Sequence, residues 1–147
     1  VGVDVRSQIT IKRTREEVAH YASDPDHATE WYKNIEAVRW KTPRPLAVGS
    51  QFAFVAKFLG RRLSYTYEVV ELVPADRFVM RTSEGPFPME TSYEWMDASD
   101  GGTLMVLRNR GAPTGFARIM TALMPIAIRS ANRKDLRRLK AILERPS

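Results

Sequence analysis

Few residues in this chain are of a type that does chemistry, and their spacing narrows the choice of reaction. His20 and His27 are the only histidines, and there is no cysteine. No H-E-x-x-H pair and no histidine cluster occurs, so no metal site is expected. The absence of cysteine removes disulfides, thiolate nucleophiles and Cys-based zinc sites, and is compatible with a reducing compartment. There is no G-x-S-x-G elbow and no phosphate-binding glycine loop. Gly101-Gly102 follows Asp100 and reads as a hairpin turn.

One compact acidic group exists: Asp24, Asp26 and Glu30, close in sequence to His27. An acid/base constellation is one reading of it. The better one is helix capping, because Asp24 precedes Pro25 and acids favour the positive end of a helix dipole. If the chain is an enzyme, the chemistry left to it is proton transfer on a carbonyl compound. Tyr65, Tyr67, Tyr93, Asn109 or an inward Arg39 would then be the donors that steady an enolate. No residue pair stands out as acid and base, and no cofactor is expected.

These residues need elements to position them. Val3–Ile11 alternates, with Val3, Val5, Ile9 and Ile11 apolar, and reads as a strand. Thr14 caps a short helix over Arg15–Ala22, and Asp24 with Pro25 starts a second over 25–33. Strands follow at 35–41, Gln51–Phe58, 62–72, 78–82, 88–96 and 103–110, joined by turns rich in Pro, Gly and Asp. Short connections between successive strands make the sheet antiparallel. The fold class is α+β, one domain over 1–147: a seven-stranded curved sheet wrapped around a long C-terminal helix, with two short helices between the first two strands.

That helix carries two stripes. Phe116, Met120, Leu123 and Ala127 lie on one, flanked by Ile119 and Met124; Leu136, Leu139, Ile142 and Leu143 lie on another, rotated by more than a quarter-turn. One straight helix cannot aim both at one sheet. Pro125 lies between them, and a kink is expected there. Met120, Met124, Met80, Met89 and Met105 add flexible thioethers, which suit either plain core filling or an adaptable cavity.

The order of these elements, together with DPDHATEWYKNIEAVRW (24–40), resembles the START-like, SRPBCC or helix-grip superfamily. It is most similar to the polyketide cyclase/dehydrase and lipid-transport group. Val48-Gly49-Ser50, Phe58-Leu59-Gly60, Val69-Val70-Glu71-Leu72-Val73-Pro74, Gly102-Thr103 and Asp135-Leu136-Arg137-Arg138-Leu139-Lys140 carry the likeness over nearly the whole chain. The resemblance implies a deep cavity between the sheet and the C-terminal helix. It implies a small hydrophobic guest, and no shared catalytic motif. It also places Trp31 near the mouth.

Alternation assigns the walls of such a cavity. Phe52 and Phe54 share a face with Ala56 and Phe58; Tyr65 and Tyr67 with Leu63 and Val69; Thr91, Tyr93 and Trp95 with Met89; Met105, Leu107 and Asn109 with Thr103. After Val69 the parity switches, because Val70 and Leu72 are both apolar. With Trp31, Met80 and the helix residues Phe116, Met120, Leu123, Met124 and Ala127, these form an apolar lining with a few polar tips, as small-molecule sites have. The expected function is carriage, sensing or sequestration of a small hydrophobic molecule. An aromatase/cyclase or dehydratase is the alternative, and a protein-interaction groove the weaker one.

The net charge of +6 is uneven: residues 129–147 hold seven Arg or Lys and two acids, and the rest is nearly neutral. Arg133/Arg137 and Lys134/Arg138 are like charges at i, i+4 and repel. No aromatic residue interleaves this basic stretch, so no nucleic-acid partner is expected. It reads first as a solvated helix face, with transient contact at an anionic membrane surface as the alternative. No basic region followed by an apolar stretch opens the sequence, and its longest uncharged apolar run is too short to span a bilayer. A cytoplasmic location is expected. The oligomeric state is left open.

Overall fold

A computed structural model of the chain describes residues 3–58, 60–85, 88–111 and 124–146. Strand β1 (Val3–Ile11) alternates buried and exposed as its sequence requires, and it pairs with the last strand, not the next one. Helix α1 (Arg15–Ala22) opens on Thr14, whose hydroxyl oxygen accepts from the Glu17 amide at 3.3 Å. The expected second helix is shorter and split. A 3-10 turn (Pro25–His27), capped by Asp24 on the Asp26 amide, leads into α2 (Ala28–Trp31), and Tyr32 is already extended.

The chain then runs through β2 (Ile35–Trp40), β3 (Gln51–Phe58), β4 (Arg61–Val73), β5 (Arg77–Glu84), β6 (Met89–Asp97) and β7 (Thr103–Gly111) before α3 (Met124–Leu143). The strands form one antiparallel sheet in the order β1-β7-β6-β5-β4-β3-β2, so the first strand closes against the last. Gly102 must be glycine at the β6–β7 turn: a Cβ there would lie 2.6 Å from the Ile11 carbonyl oxygen. The parity switch after Val69 is a β-bulge. Val69 pairs with Met80 and Glu71 with Val79, so Val70 is the extra residue and Leu72 turns back to the core.

The concave face carries the core. Trp31, Phe52, Phe78, Trp95, Met105, Leu107, Leu136 and Leu139 are among its fully buried side chains. Helix α3 lies along β1 and turns Ile128, Asn132, Leu136 and Leu139 inward at helical spacing. Arg129, Arg133, Lys134 and Arg137 face solvent without an ion-pair partner among the described residues. Arg138 and Lys140 are engaged, on the carbonyls of Glu30 and Thr10. Pro125 stands in the first turn of the described helix. The stripe formed by Phe116, Met120 and Leu123, the side chain of Met124, and hence the kink expected beside them, lie outside the described residues. The convex face is a ladder of charges, Arg81–Glu90–Arg110 and Asp4–Arg108, running across four strands. No described helix is long and apolar enough to cross a membrane.

Candidate functional site

Between the concave sheet, α3 and the α1–β2 segment lies a cavity of about 150 Å³. That is room for roughly one aromatic ring with a small substituent. Three strands supply most of its wall: Phe54 and Ala56 from β3; Leu63, Tyr65 and Tyr67 from β4; Met89, Thr91 and Tyr93 from β6. Phe78, Met80 and Asn109 add β5 and β7. Ile128, Ala131, Asn132 and Asp135 close it from the helix, and Asp24, Pro25 and Tyr32 from the other side.

The polar atoms of this wall form two sets. In the first, Thr91 Oγ1 donates to Asn109 Oδ1 at 2.6 Å, which spends its one proton. The Tyr67 hydroxyl, 3.1 Å away, therefore donates to Thr91. Asn109 Nδ2 in turn donates to Asn132 Oδ1 at 3.2 Å. The chain thus runs from β4 through β6 and β7 to α3, and ends on Asn132 Nδ2, which is buried without a partner among the described residues. In the second set, the Tyr32 and Tyr93 hydroxyls share a hydrogen bond of 2.6 Å. Asp135 Oδ1 accepts the Lys33 amide at 3.0 Å and so ties α3 to the α2–β2 connection.

Burial sets the acidity of these groups. Desolvation pushes the Asp135 carboxyl up to about 6, against the smaller opposing pull of the Lys33 amide and of Arg138, Lys33 and Lys134. Desolvation also raises the phenols of Tyr32, Tyr65, Tyr67 and Tyr93, so all four stay protonated at neutral pH. The Tyr65 hydroxyl has no hydrogen-bond partner among the described residues. Among the same residues no group of three or more His, Asp or Glu is placed to hold a metal ion.

Of the residues expected to line a cavity, Phe54, Tyr65, Tyr67, Met80, Thr91, Tyr93 and Asn109 do so together. Phe52, Trp95, Met105 and Leu107 share that face and are fully buried, but they stand off the cavity wall. Trp95, Met105 and Ile9 form one cross-strand row toward the end where α1 packs on β6, whereas Leu107 and Phe52 pair with the wall residues Tyr93 and Tyr67. Phe52 lies edge-on against Trp40, with ring centroids 4.8 Å apart. Ala127 is half-buried and stands off the wall. Trp31 is not at a mouth. It is fully buried, 4.1 Å from the Tyr32 ring and 5.7 Å from Tyr93, because the short α2 turns it under the sheet. Its indole N–H finds no acceptor among the described residues.

Arg39 is exposed, since Val38 and Trp40 take the inward side of β2. The acidic group is structural. Asp24 caps, Asp26 holds Arg44 and the Trp40 indole, and Glu30 accepts from the Tyr21 hydroxyl. Asn132 and Asp135 are wall residues outside the expected set. Their signal was present: with Ile128, Leu136 and Leu139 they fall on one helical stripe, so two polar side chains stand on an inward apolar face.

This geometry defines a class of protein: a curved antiparallel sheet gripping a C-terminal helix over an internal cavity. The family model described as polyketide cyclase / dehydrase and lipid transport matches residues 2–144. The chain belongs to that family, within the START-like helix-grip superfamily. No curated protein matches the sequence significantly. Among solved structures, a protein from Thermus thermophilus superposes with a TM-score of 0.82 at 19% identity, over 95% of this chain and 96% of that one. The ZhuI aromatase/cyclase from a Streptomyces species gives 0.82 at 15% identity, over 99% and 95%. A START superfamily protein from Mycobacterium smegmatis gives 0.79 at 12% identity, over 96% and 97%. These likenesses establish the shared fold.

Proposed function

We propose that this chain binds one small, largely hydrophobic molecule in the cavity between the sheet and α3, as a carrier, sensor or sequestering protein. The observation that carries the reading is the wall itself. Phe54, Tyr65, Tyr67, Met80 and Phe78 surround a space with a small number of convergent polar groups at one side, the usual composition of a small-molecule site. Family membership supports it, because the family's description spans lipid transport and polyketide chemistry. The test is native mass spectrometry of the purified protein, before and after Ala131→Phe, which puts a ring into the cavity from α3. A co-purified mass that the variant loses supports the reading. A chain that carries and takes up no small molecule in either form overturns it.

One observation favours a second reading. Asp135 lines the same cavity with a carboxyl that titrates near 6, the range in which a general acid or base is most effective. A cofactor-free cyclase or dehydratase would use it for proton transfer on a carbonyl compound. Asp135→Asn separates the two: a carrier has no turnover to lose, whereas an enzyme loses it.

A further inference from the structure

Asp135 is a buried carboxyl without a counter-ion. It stands on α3, is 3% exposed, and gives Oδ1 to the Lys33 amide. Its other oxygen, Oδ2, has no hydrogen-bond partner and no ion pair among the described residues. Yet Oδ2 is not sealed by protein: the sealed, partnerless atoms there are Ser7 Oγ, Trp31 Nε1, Trp95 Nε1 and Asn132 Nδ2. The residue shows almost nothing of itself to bulk water and borders the cavity, so the surface left to Oδ2 is cavity surface. Its cationic neighbours look outward. Lys33, Lys134 and Arg138 are exposed, and Arg138 is spent on the Glu30 carbonyl. From β6 and the α2–β2 connection it faces the phenols of Tyr93 and Tyr32, held neutral by desolvation and further by this charge. Desolvation raises the carboxyl to about 6, so at pH 7 it is still mostly ionised. A carboxylate taken out of water without a cation is costly, and folded proteins pair such groups.

The rest of the wall suits a cation as well. Tyr32, Phe54, Tyr65, Tyr67, Phe78 and Tyr93 all border the cavity, and ring faces attract organic cations, more strongly out of water. We propose that the guest is an amine, with its ammonium group on Asp135 Oδ2 and its apolar body among these rings. The inference rests on the cavity reading above and adds the chemistry of the guest's polar end. A pure hydrocarbon leaves the carboxylate bare, and an anion meets it as a like charge. A neutral hydroxyl gives a hydrogen bond but no charge, and gains nothing from the rings. The other charged residues among the described lining do not change this: Asp24 is spent on the Asp26 amide, and Lys57 is exposed.

The experiment compares benzylamine with benzyl alcohol, single-ring probes of similar shape, one cationic and one neutral. NMR titrations of the wild type and of Asp135→Asn are run at about pH 7.5 and about pH 5, on either side of the carboxyl's titration. At the higher pH the wild type should prefer benzylamine by at least about tenfold, as hydrogen bonds to charged groups allow. At the lower pH Asp135 takes up a proton while benzylamine stays cationic, so the preference should shrink several-fold. Asp135→Asn should erase the preference at both, while holding benzyl alcohol as the wild type does, which also reports that the cavity is intact. Should the variant hold benzyl alcohol differently, the wild type decides: a preference unchanged between the two pH values overturns the inference. Equal binding of the two probes by the wild type at the higher pH, tighter binding of benzyl alcohol, or a preference kept by Asp135→Asn overturns the role of Asp135 and leaves the cavity reading standing. Binding of neither probe by the wild type overturns the cavity reading and this inference together.

Discussion

Asn109 on β7 and Asn132 on α3 meet across the cavity floor, the amide nitrogen of the first 3.2 Å from the amide oxygen of the second. This is a side-chain link between the sheet and the helix it grips. Its polarity is set by Thr91 on the neighbouring strand β6 and by Tyr67 on β4.

Cutting that chain in the middle should therefore hurt more than cutting it at the end. Thr91→Val leaves both the Tyr67 hydroxyl and Asn109 Oδ1 buried and unpaired, and should cost about 2–3 kcal/mol in urea unfolding. Tyr67→Phe removes only a donor, and Thr91 keeps its own bond, so about 1 kcal/mol is expected. Equal losses for the two variants would contradict the order of donors described here.

Asp135 makes a pH signature of unusual sign for a carboxylate. Its folded-state value, about 6, lies above the ordinary 3.8 because of desolvation. The folded chain thus binds more protons than the unfolded chain between about 4 and 6. The stability linked to this group is full below about 4 and is lost as pH rises through about 6. Asp135→Asn keeps the acceptor for the Lys33 amide and removes the titration. It should be more stable than the wild type at pH 7, by on the order of 2 kcal/mol, and the gap should close toward pH 4. Asp4, Asp26, Glu90 and Glu144 act oppositely, since arginine or lysine partners lower their values. They titrate alike in both proteins and cancel from the difference.

Trp31 and Ile126 should separate core from surface. Trp31→Ala empties a fully buried site and should cost about 3–5 kcal/mol. Ile126, 66% exposed on α3, should tolerate alanine within about 0.5 kcal/mol. Thermal unfolding of the two variants checks both. A mild Trp31→Ala would return that residue to the rim.

The arginine face of α3 makes its own prediction. Arg133 has Arg129 and Arg137 four residues to either side, all exposed. Arg133→Glu turns two repulsions into two attractions and should stabilise the protein by about 0.5–1 kcal/mol at low salt. The gain should fade at high salt. Denaturation at two ionic strengths reads this directly; a loss of stability would mean that Arg133 has a partner the ion pairs do not reveal.

Much of this architecture is written locally. Strand alternation identified Phe54, Tyr65, Tyr67, Thr91, Tyr93 and Asn109 as inward-facing, and the structure buries or half-buries all six on the concave face. The caps at Thr14 and Asp24, the glycine turns and the bulge signalled at Val70 are likewise products of short stretches of chain. Each depends on residues within a few positions of one another, so a period of two or of three to four suffices to reveal it.

What alternation cannot contain is the row. Trp95 and Thr91 have the same parity on β6, yet one is core and the other is cavity wall. The difference is made by α1, which packs toward one end of β6, and by the line α3 takes along β1. Likewise the sequence of α3 gives its inward stripe, but only the strands opposite decide that Asn132 finds Asn109, and that Asp135 loses enough water to titrate near 6. Sequence by itself determined which side of each element is oily. Where the oily sides fail to meet, and which polar groups find partners across the core, is decided by contacts between residues far apart in the chain.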